Sequence, residues 1–175
     1  RMIRCFIRQF DECWIPDQAD NQNNLTGKLS HRFSLPSNAR FIGILSRFNT
    51  AAEDTQAYPR YDCVVVVSGP EPQRSSFEKH ILRQLKKEPV NALIINGMSE
   101  VPVSGEVLPD GVTVVPHLDA GTFKKVLKQA GRVICRAGYS AIMDLVAIGR
   151  TALLIPTPGQ TEQQYLAEYL VRKNM

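Results

Sequence analysis

The spacing of apolar residues divides the chain into segments with strand-like and helix-like patterns. After residue 60, short runs of aliphatic and β-branched residues alternate with segments in which apolar residues recur at helical spacing. These patterns predict strands at 63–68, 92–95, 112–115, 133–135 and 152–155, and helices at 75–87, 122–129, 139–148 and 162–172. The alternation predicts an α/β fold, a Rossmann-like parallel sheet with helices on both faces. Between residues 96 and 112 no helical pattern occurs, so one crossover is expected to be a loop.

The first third of the chain is less regular. Residues 1–16 predict a short helix followed by a strand at 12–15, and 41–45 is a short apolar run. The polar segments 17–36 and 49–60 are typical of loops. Basic residues recur at helical spacing in the first segment, at Arg1, Arg4 and Arg8. They predict either a solvated basic face or a face turned towards a membrane.

Two domain segments are predicted from these patterns. Residues 1–36 are interpreted as the end of a preceding domain and a linker, and 37–175 as the α/β domain. Both ends are expected to be truncated, because the chain begins at Arg1 and stops at Met175 inside a helical pattern.

Composition narrows the functional classes only slightly. Hydrophobic residues make up 43% and charged residues 22% of the 175 residues, which excludes global disorder. The net charge of +4 is compatible with any anionic partner, so it does not distinguish between classes of ligand. Four cysteines without a CxxC pair predict reduced, mostly buried thiols in a cytoplasmic protein. No GxGxxG follows a predicted strand and no DxD-like motif occurs, so we expect no dinucleotide or other cofactor and no metal. We also expect no nucleic-acid partner.

Three predicted strand-to-helix turns should meet at one edge of the sheet, where ligands bind in such folds. In the first turn, Ser68, Gly69 and Arg74 could contact a phosphate, or the turn is simply stiffened by prolines. The second turn comprises Arg136, Ala137, Gly138, Tyr139 and Ser140. It opens a strongly apolar helix whose N-terminus suits a diphosphate.

Asp144 is the single charged residue of that apolar helix. It follows Gly138 by six positions, roughly 9 Å along the helix axis at the usual rise per residue. That is about the reach from a diphosphate to the ribose of the same nucleotide, and a carboxylate accepts hydrogen bonds from a diol well. The alternative is an Asp144 that faces solvent or pairs with a nearby Lys or Arg.

The third turn and a fourth loop offer neutral polar groups and a histidine. Gln160, Gln163 and Gln164 suit sugar hydroxyls, although Thr161 and Gln164 also fit a capping box. His117 could be a general base, but a loop that lines a base pocket is favoured. Asp119 fits the N-cap of the helix after it.

These turns together resemble the C-terminal domain of GT-B glycosyltransferases, with the family 28 type as the nearest likeness. The resemblance lies in Cys135-Arg136-Ala137-Gly138, Asp144, Pro156 and Gln163-Gln164, in that order. It implies phosphates at the turn 136–140, ribose on Asp144 and donor sugar on Gln163 and Gln164. It also implies that His117 and Leu118 lie beside the nucleobase. Two departures stand out: the family usually has Glu at the position of Asp144, and its Gly-rich GGSxG loop is replaced by Ser68-Gly-Pro-Glu-Pro.

The resulting hypothesis is a nucleotide-sugar donor-binding domain, the C-terminal half of a GT-B fold. The resemblance favours UDP-sugar as the donor and transfer of a hexose or N-acetylhexosamine to an unknown acceptor. The domain is expected to be inactive without an N-terminal acceptor domain, and the full-length enzyme could associate peripherally with a membrane. The alternatives are a non-catalytic donor-binding subunit of a split glycosyltransferase and a nucleotide-sugar epimerase.

Overall fold

Seven strands and five helices lie in the part of the chain that the computed structural model describes, residues 7, 9–20, 22–50, 57–98 and 108–174. The strands are β1 Cys13–Ile15, β2 Ala39–Phe41, β3 Cys63–Val66, β4 Ala92–Ile95, β5 Val112–Val115, β6 Arg132–Arg136 and β7 Leu153–Ile155. The helices are α1 Lys28–His31, α2 Gln73–Lys87, α3 Ala120–Gln129, α4 Tyr139–Ala147 and α5 Thr161–Arg172.

The main sheet is parallel and five-stranded, in the order β5-β4-β3-β6-β7. β3 is flanked by β4 on one side and by β6 on the other, so the direction of strand addition reverses between β3 and β6. The carboxyl ends of all five strands therefore lie along one edge, and the reversal opens a crevice there. This confirms the predicted Rossmann-like α/β sheet.

Helices cover both faces of this sheet, as the apolar runs predicted. Alternate side chains of a strand point to opposite faces, and Val64 and Val65 of β3 are both fully buried. Val64 packs in a cluster with residues of α3 and α4, whereas Val65 packs with α2. The crossover from β4 to β5 shows no helix in its described parts, and residues 99–107 of the predicted loop lie outside the described residues.

Local capping explains where α3 and α4 begin and end. Asp119 accepts hydrogen bonds from the backbone N–H groups of Gly121 and Thr122, so α3 starts two residues earlier than its apolar pattern predicts. α4 stops because Gly149 takes a positive φ of 66° and Arg150 N–H donates to the Leu145 carbonyl. The predicted role of Asp119 as N-cap is confirmed.

The N-terminal segment folds around a buried carboxylate. Asp17 is fully buried and accepts hydrogen bonds from the backbone of Gln18 and Leu25 and from the side chain of Thr26. Burial alone would raise the pKa of Asp17, but these hydrogen bonds outweigh it and lower the pKa. They also order a helix, α1, in a stretch that was predicted to be loop throughout.

This segment packs against the α/β domain. Leu25 is fully buried in a cluster with α4 and α5, and Tyr139 donates a hydrogen bond to the Pro16 carbonyl. The partners of Leu25 are Ile142, Met143, Leu166 and Leu170. β1 and β2 form a separate two-stranded parallel sheet. The predicted helix within 1–16, with Arg1, Arg4 and Arg8, lies largely outside the described residues.

Two further expectations concern thiols and membranes. Cys63 and Cys135 are buried free thiols and Cys13 is a half-buried one, whereas Cys5 lies outside the described residues. Burial raises the pKa of Cys135 to about 12, which keeps this thiol protonated and unreactive at neutral pH. In the described stretches, no helix has the length and apolar character that crossing a bilayer requires.

We predict that Leu25→Ala destabilises the whole α/β domain. Removing a fully buried leucine side chain costs about 2–5 kcal/mol through lost burial and the cavity left behind. Leu29→Ala is the matched control, because Leu29 lies in the same segment and is 49% exposed. Its cost should stay within about 0.5 kcal/mol. Urea unfolding followed by circular dichroism measures both, and equal costs would show that the segment does not depend on Leu25 for docking.

Candidate functional site

A cavity of about 110 Å³ lies at the crevice between β3 and β6. Three of the predicted site residues line it: Ser68 after β3, and Ser140 and Asp144 on α4. Its other lining residues are Arg47, Val66, Phe123, Leu127, Val133, Cys135, Ala141 and Leu145. The cavity therefore combines apolar walls with a few polar groups, the usual make-up of a small-molecule site.

Asp144 has two partners from a distant part of the chain. Its carboxylate accepts a hydrogen bond from Ser46 Oγ at 2.6 Å and pairs with Arg47 Nε at 2.8 Å. The Asp144 side chain is 7% exposed and that of Arg47 is 56% exposed. Asp144 is thus paired with a basic residue, as the alternative interpretation of this position predicted. The ribose contact predicted for Asp144 stays a prediction, and a ribose there must share the carboxylate with Ser46 and Arg47.

The N-terminus of α4 is open. Gly138 occupies the N-cap position with no side-chain cap, and the first turn carries no acidic residue. A Cβ atom added at Gly138 would meet nothing within 4 Å, so the space in front of the turn is free. Unpaired N–H groups and the positive end of the helix dipole make such a terminus a site for anions.

Arg136 is buried beneath this turn and is 5% exposed. Its guanidinium donates to the carbonyls of Gln73 at 3.0 Å and Pro156 at 3.2 Å, and it lies 4.1 Å from the ring centroid of Phe77. Burial lowers its pKa. Arg136 thereby joins the β3–α2, β6–α4 and β7–α5 turns, and its direct contact with a diphosphate stays a prediction.

The other residues of the second turn serve the packing. Ala137 is fully buried, and Tyr139 turns its hydroxyl towards the Pro16 carbonyl. Burial raises the pKa of Tyr139, which keeps the hydroxyl protonated as a donor. Neither residue lines the cavity.

Gln163 stabilises the β7–α5 turn internally. Its side chain accepts a hydrogen bond from the backbone N–H of Thr157 at 2.9 Å and donates to the Gln160 side chain. Gln164 is exposed in the first turn of α5. The predicted capping box is wrong: α5 begins at Thr161 itself, with Gln160 at the N-cap position and no side-chain cap bond. The hydrogen bond between the side chains of Gln160 and Gln163 orders the turn instead of a capping box.

The remaining predicted residues lie away from the cavity lining. Arg74 is 9% exposed and engaged by Glu71, Glu78 and the Asn96 carbonyl. His117 is exposed, and Leu118 packs at the margin of the core between β5 and α3. Gly69 has a positive φ of 111° and open space around it. None of these residues is brought to the cavity, and their predicted ligand contacts stay predictions.

Two residues of the site were not predicted from the sequence. Ser46 and Arg47 follow the apolar run 41–45, and they meet Asp144 from almost a hundred positions earlier in the chain. A basic residue at the start of a polar segment is a weak signal, since most such residues are solvated. Only the buried charge on α4, which required a partner, pointed to their existence.

Comparison with known proteins assigns the family. Residues 65–175 match the glycosyltransferase family 28 C-terminal domain, and this match covers more than half of the chain. The chain belongs to this family. The predicted resemblance to a family 28 C-terminal domain is confirmed.

A curated relative comes from Caldanaerobacter subterraneus subsp. tengcongensis. It is the UDP-N-acetylglucosamine--N-acetylmuramyl-(pentapeptide) pyrophosphoryl-undecaprenol N-acetylglucosamine transferase of that organism. The two chains are 32% identical over 101 residues, which is 53% of this chain and 27% of the relative. This chain therefore corresponds to about a quarter of that protein.

Two solved structures share the fold at low sequence identity. The glycotransferase of kitacinnamycin superposes with a TM-score of 0.65 at 14% identity, covering 98% of this chain and 46% of that one. The glycosyltransferase SnogD from Streptomyces nogalater gives 0.51 at 13% identity, covering 77% of this chain and 43% of that one. The chain spans less than half of each, in agreement with the C-terminal half of a GT-B fold.

We predict that Arg136→Met loosens the three turns that meet at the sheet edge. The substitution leaves the carbonyls of Gln73 and Pro156 without their charged donor, which costs about 1–3 kcal/mol of unfolding free energy. Arg132→Met is the control, because Arg132 opens the same strand and is exposed. Urea unfolding gives the cost, and hydrogen exchange should be faster in the turns of Arg136→Met alone. Equal unfolding free energies and equal hydrogen-exchange rates in the two variants would contradict the role of Arg136 in holding the turns together.

Proposed function

We propose that this domain binds the nucleotide-sugar donor of a glycosyltransferase, and that the donor is a UDP-sugar carrying a hexose or an N-acetylhexosamine. The observation that carries the proposal is the cavity at the reversal point of the sheet, beside the open N-terminus of α4. Nucleotides bind at this place in open α/β sheets because strand ends and helix dipoles converge there.

The diphosphate is assigned to the N-terminus of α4. Ser140 and Asp144 lie four residues apart, on one face of the helix, and both line the cavity. A nucleotide along this face places its phosphates near Ser140 and its ribose near Asp144. Arg47 stands beside the carboxylate and supplies a cation close to both groups. The helix end and this cation would offset the charge that develops on the leaving diphosphate.

The donor sugar is assigned to the β7–α5 turn. Gln163 is held by Thr157 and Gln160, which presets the turn, and the adjacent Gln164 is exposed. Neutral amides suit sugar hydroxyls because they donate and accept hydrogen bonds. The curated relative is named for transfer from UDP-N-acetylglucosamine, which supports this class of donor.

We assign the sugar-transfer reaction to a longer protein that includes this domain. The match with the curated relative covers 27% of that protein's length. We expect this domain to bind the donor and to transfer nothing by itself. An acceptor domain on the N-terminal side, association with a membrane surface and a cytoplasmic location belong to the same proposal.

Calorimetric titration with UDP, UDP-N-acetylglucosamine, GDP and TDP tests the donor site. We expect the two uridine ligands to bind and Asp144→Asn to weaken them by about tenfold to a hundredfold, the effect of losing one charge-assisted hydrogen-bonding group. Guanosine and thymidine ligands should bind more weakly. An absence of binding by all four at millimolar concentration would overturn the proposal.

Ser46→Ala is the matched control for Asp144→Asn. It removes one partner of the Asp144 carboxylate but leaves the charge and the ion pair with Arg47 in place. We expect UDP affinity to change by less than about threefold, because the carboxylate still accepts from ribose. A loss as large as that of Asp144→Asn would assign the effect to packing around α4 and remove Asp144 from the ligand contacts.

A further inference from the structure

The β3–α2 turn already holds an anion that belongs to the chain itself. We infer that the Glu71 carboxylate occupies the N-terminus of α2 as an internal anion. It thereby excludes the donor phosphates from this turn and directs them to α4. Glu71 is then a specificity-determining residue of the donor site. The inference rests on the proposed function, since it concerns how the same nucleotide site distributes negative charge.

Three contacts place the carboxylate at the helix end. One oxygen of Glu71 accepts from Arg74 Nε at 2.7 Å and forms an ion pair with Arg74 Nη2. The other accepts the backbone N–H of Ser75, in the first turn of α2, at 3.2 Å. The hydrogen bonds from Ser75 and Arg74 lower the pKa of Glu71, so the group is charged at neutral pH.

Few donors of this turn are left for a ligand. Pro70 and Pro72 have no N–H group, and Pro72 stands at the N-cap of α2 without a side-chain cap bond. The N–H groups of Arg74 and Ser76 donate to the carbonyls of Pro70 and Pro72. The Arg74 guanidinium is engaged by Glu71, by Glu78 at 3.3 Å and by the Asn96 carbonyl at 3.3 Å. The cation and the helix end that would hold a phosphate are therefore both occupied.

The two turns beside the crevice differ in this respect. At α4, no side chain caps the helix and no acidic residue lies in its first turn. At α2, the Glu71 carboxylate occupies the position that a ligand phosphate would take. Ser68, which is neutral, is the residue of the β3–α2 turn that lines the cavity. A diphosphate in this site would have an open helix end on one side and, on the other, the neutral Ser68 hydroxyl and a helix end already paired with a carboxylate.

The inference makes Glu71→Gln a gain-of-affinity substitution. Gln keeps an acceptor for Ser75 N–H but removes the negative charge, so the positive end of α2 and Arg74 are less neutralised and attract phosphate more strongly. We expect the Kd of UDP to fall about twofold to fivefold, the effect of one charge at a helix N-terminus, while the Kd of uridine stays unchanged. The affinity gained should be lost at high salt, because it is electrostatic.

Glu78→Gln is the matched control. Glu78 is the other acidic partner of Arg74, but it lies one turn further along α2, away from the helix end. Its substitution should change the Kd of UDP by less than about twofold, since charge effects at a helix terminus fade within the first turn. A UDP affinity that is unchanged or weaker in Glu71→Gln, or equally increased in Glu78→Gln, overturns the inference.

Inorganic pyrophosphate, titrated calorimetrically, separates this inference from the proposed function. If the unaltered chain binds UDP but Glu71→Gln shows no gain for UDP or pyrophosphate, the inference alone fails. If the unaltered chain binds no nucleotide while Glu71→Gln gains pyrophosphate binding, the proposed function fails, and only the exclusion of phosphates from the end of α2 by Glu71 stands. If neither protein binds either ligand, both fail.

Discussion

The buried guanidinium of Arg136 is the interaction on which the geometry of the sheet edge depends. It is placed at the end of β6 and donates to backbone carbonyls on both neighbouring turns. A planar group with several donors can satisfy carbonyls in different directions, and the ring of Phe77 beneath it replaces part of its hydration. The turn before α4, and with it the open helix end, is thus held at a set distance from its neighbours.

Charge is distributed unevenly around the crevice. On one side, Glu71 and Arg74 neutralise each other at the start of α2. On the other, α4 has an open N-terminus, and its buried carboxylate is balanced by Arg47, which reaches it from the N-terminal part of the chain. Two ion pairs therefore flank a helix N-terminus that has no side-chain cap.

Much of the sheet was predictable from the sequence because its central strands, β3 and β4, are buried on both faces. β4 and β5 were predicted to the residue, because β4 is a continuous aliphatic run between two asparagines and β5 is a β-branched run between Gly111 and Pro116. The helix starts were less accurate, because caps such as Asp119 extend a helix beyond its apolar pattern. β2 and α1 were missed. α1 lies in the polar segment 17–36, which Asp17 orders through long-range hydrogen bonds that no local periodicity reports, and β2 begins before the apolar run 41–45. The partners of Asp144 and the burial of Arg136 also depend on long-range contacts, so the local sequence pattern did not predict them.

The position of Leu25 has a consequence for where the chain can be divided. Its side chain covers apolar residues of α4 and α5, such as Ile142 and Leu166. A shorter chain that starts at the predicted domain boundary, residue 37, would leave this surface bare to water. Uncovered apolar surface of this kind promotes self-association. The segment before the boundary covers apolar residues of the domain's own core, so we expect the smallest independently folding unit to include it.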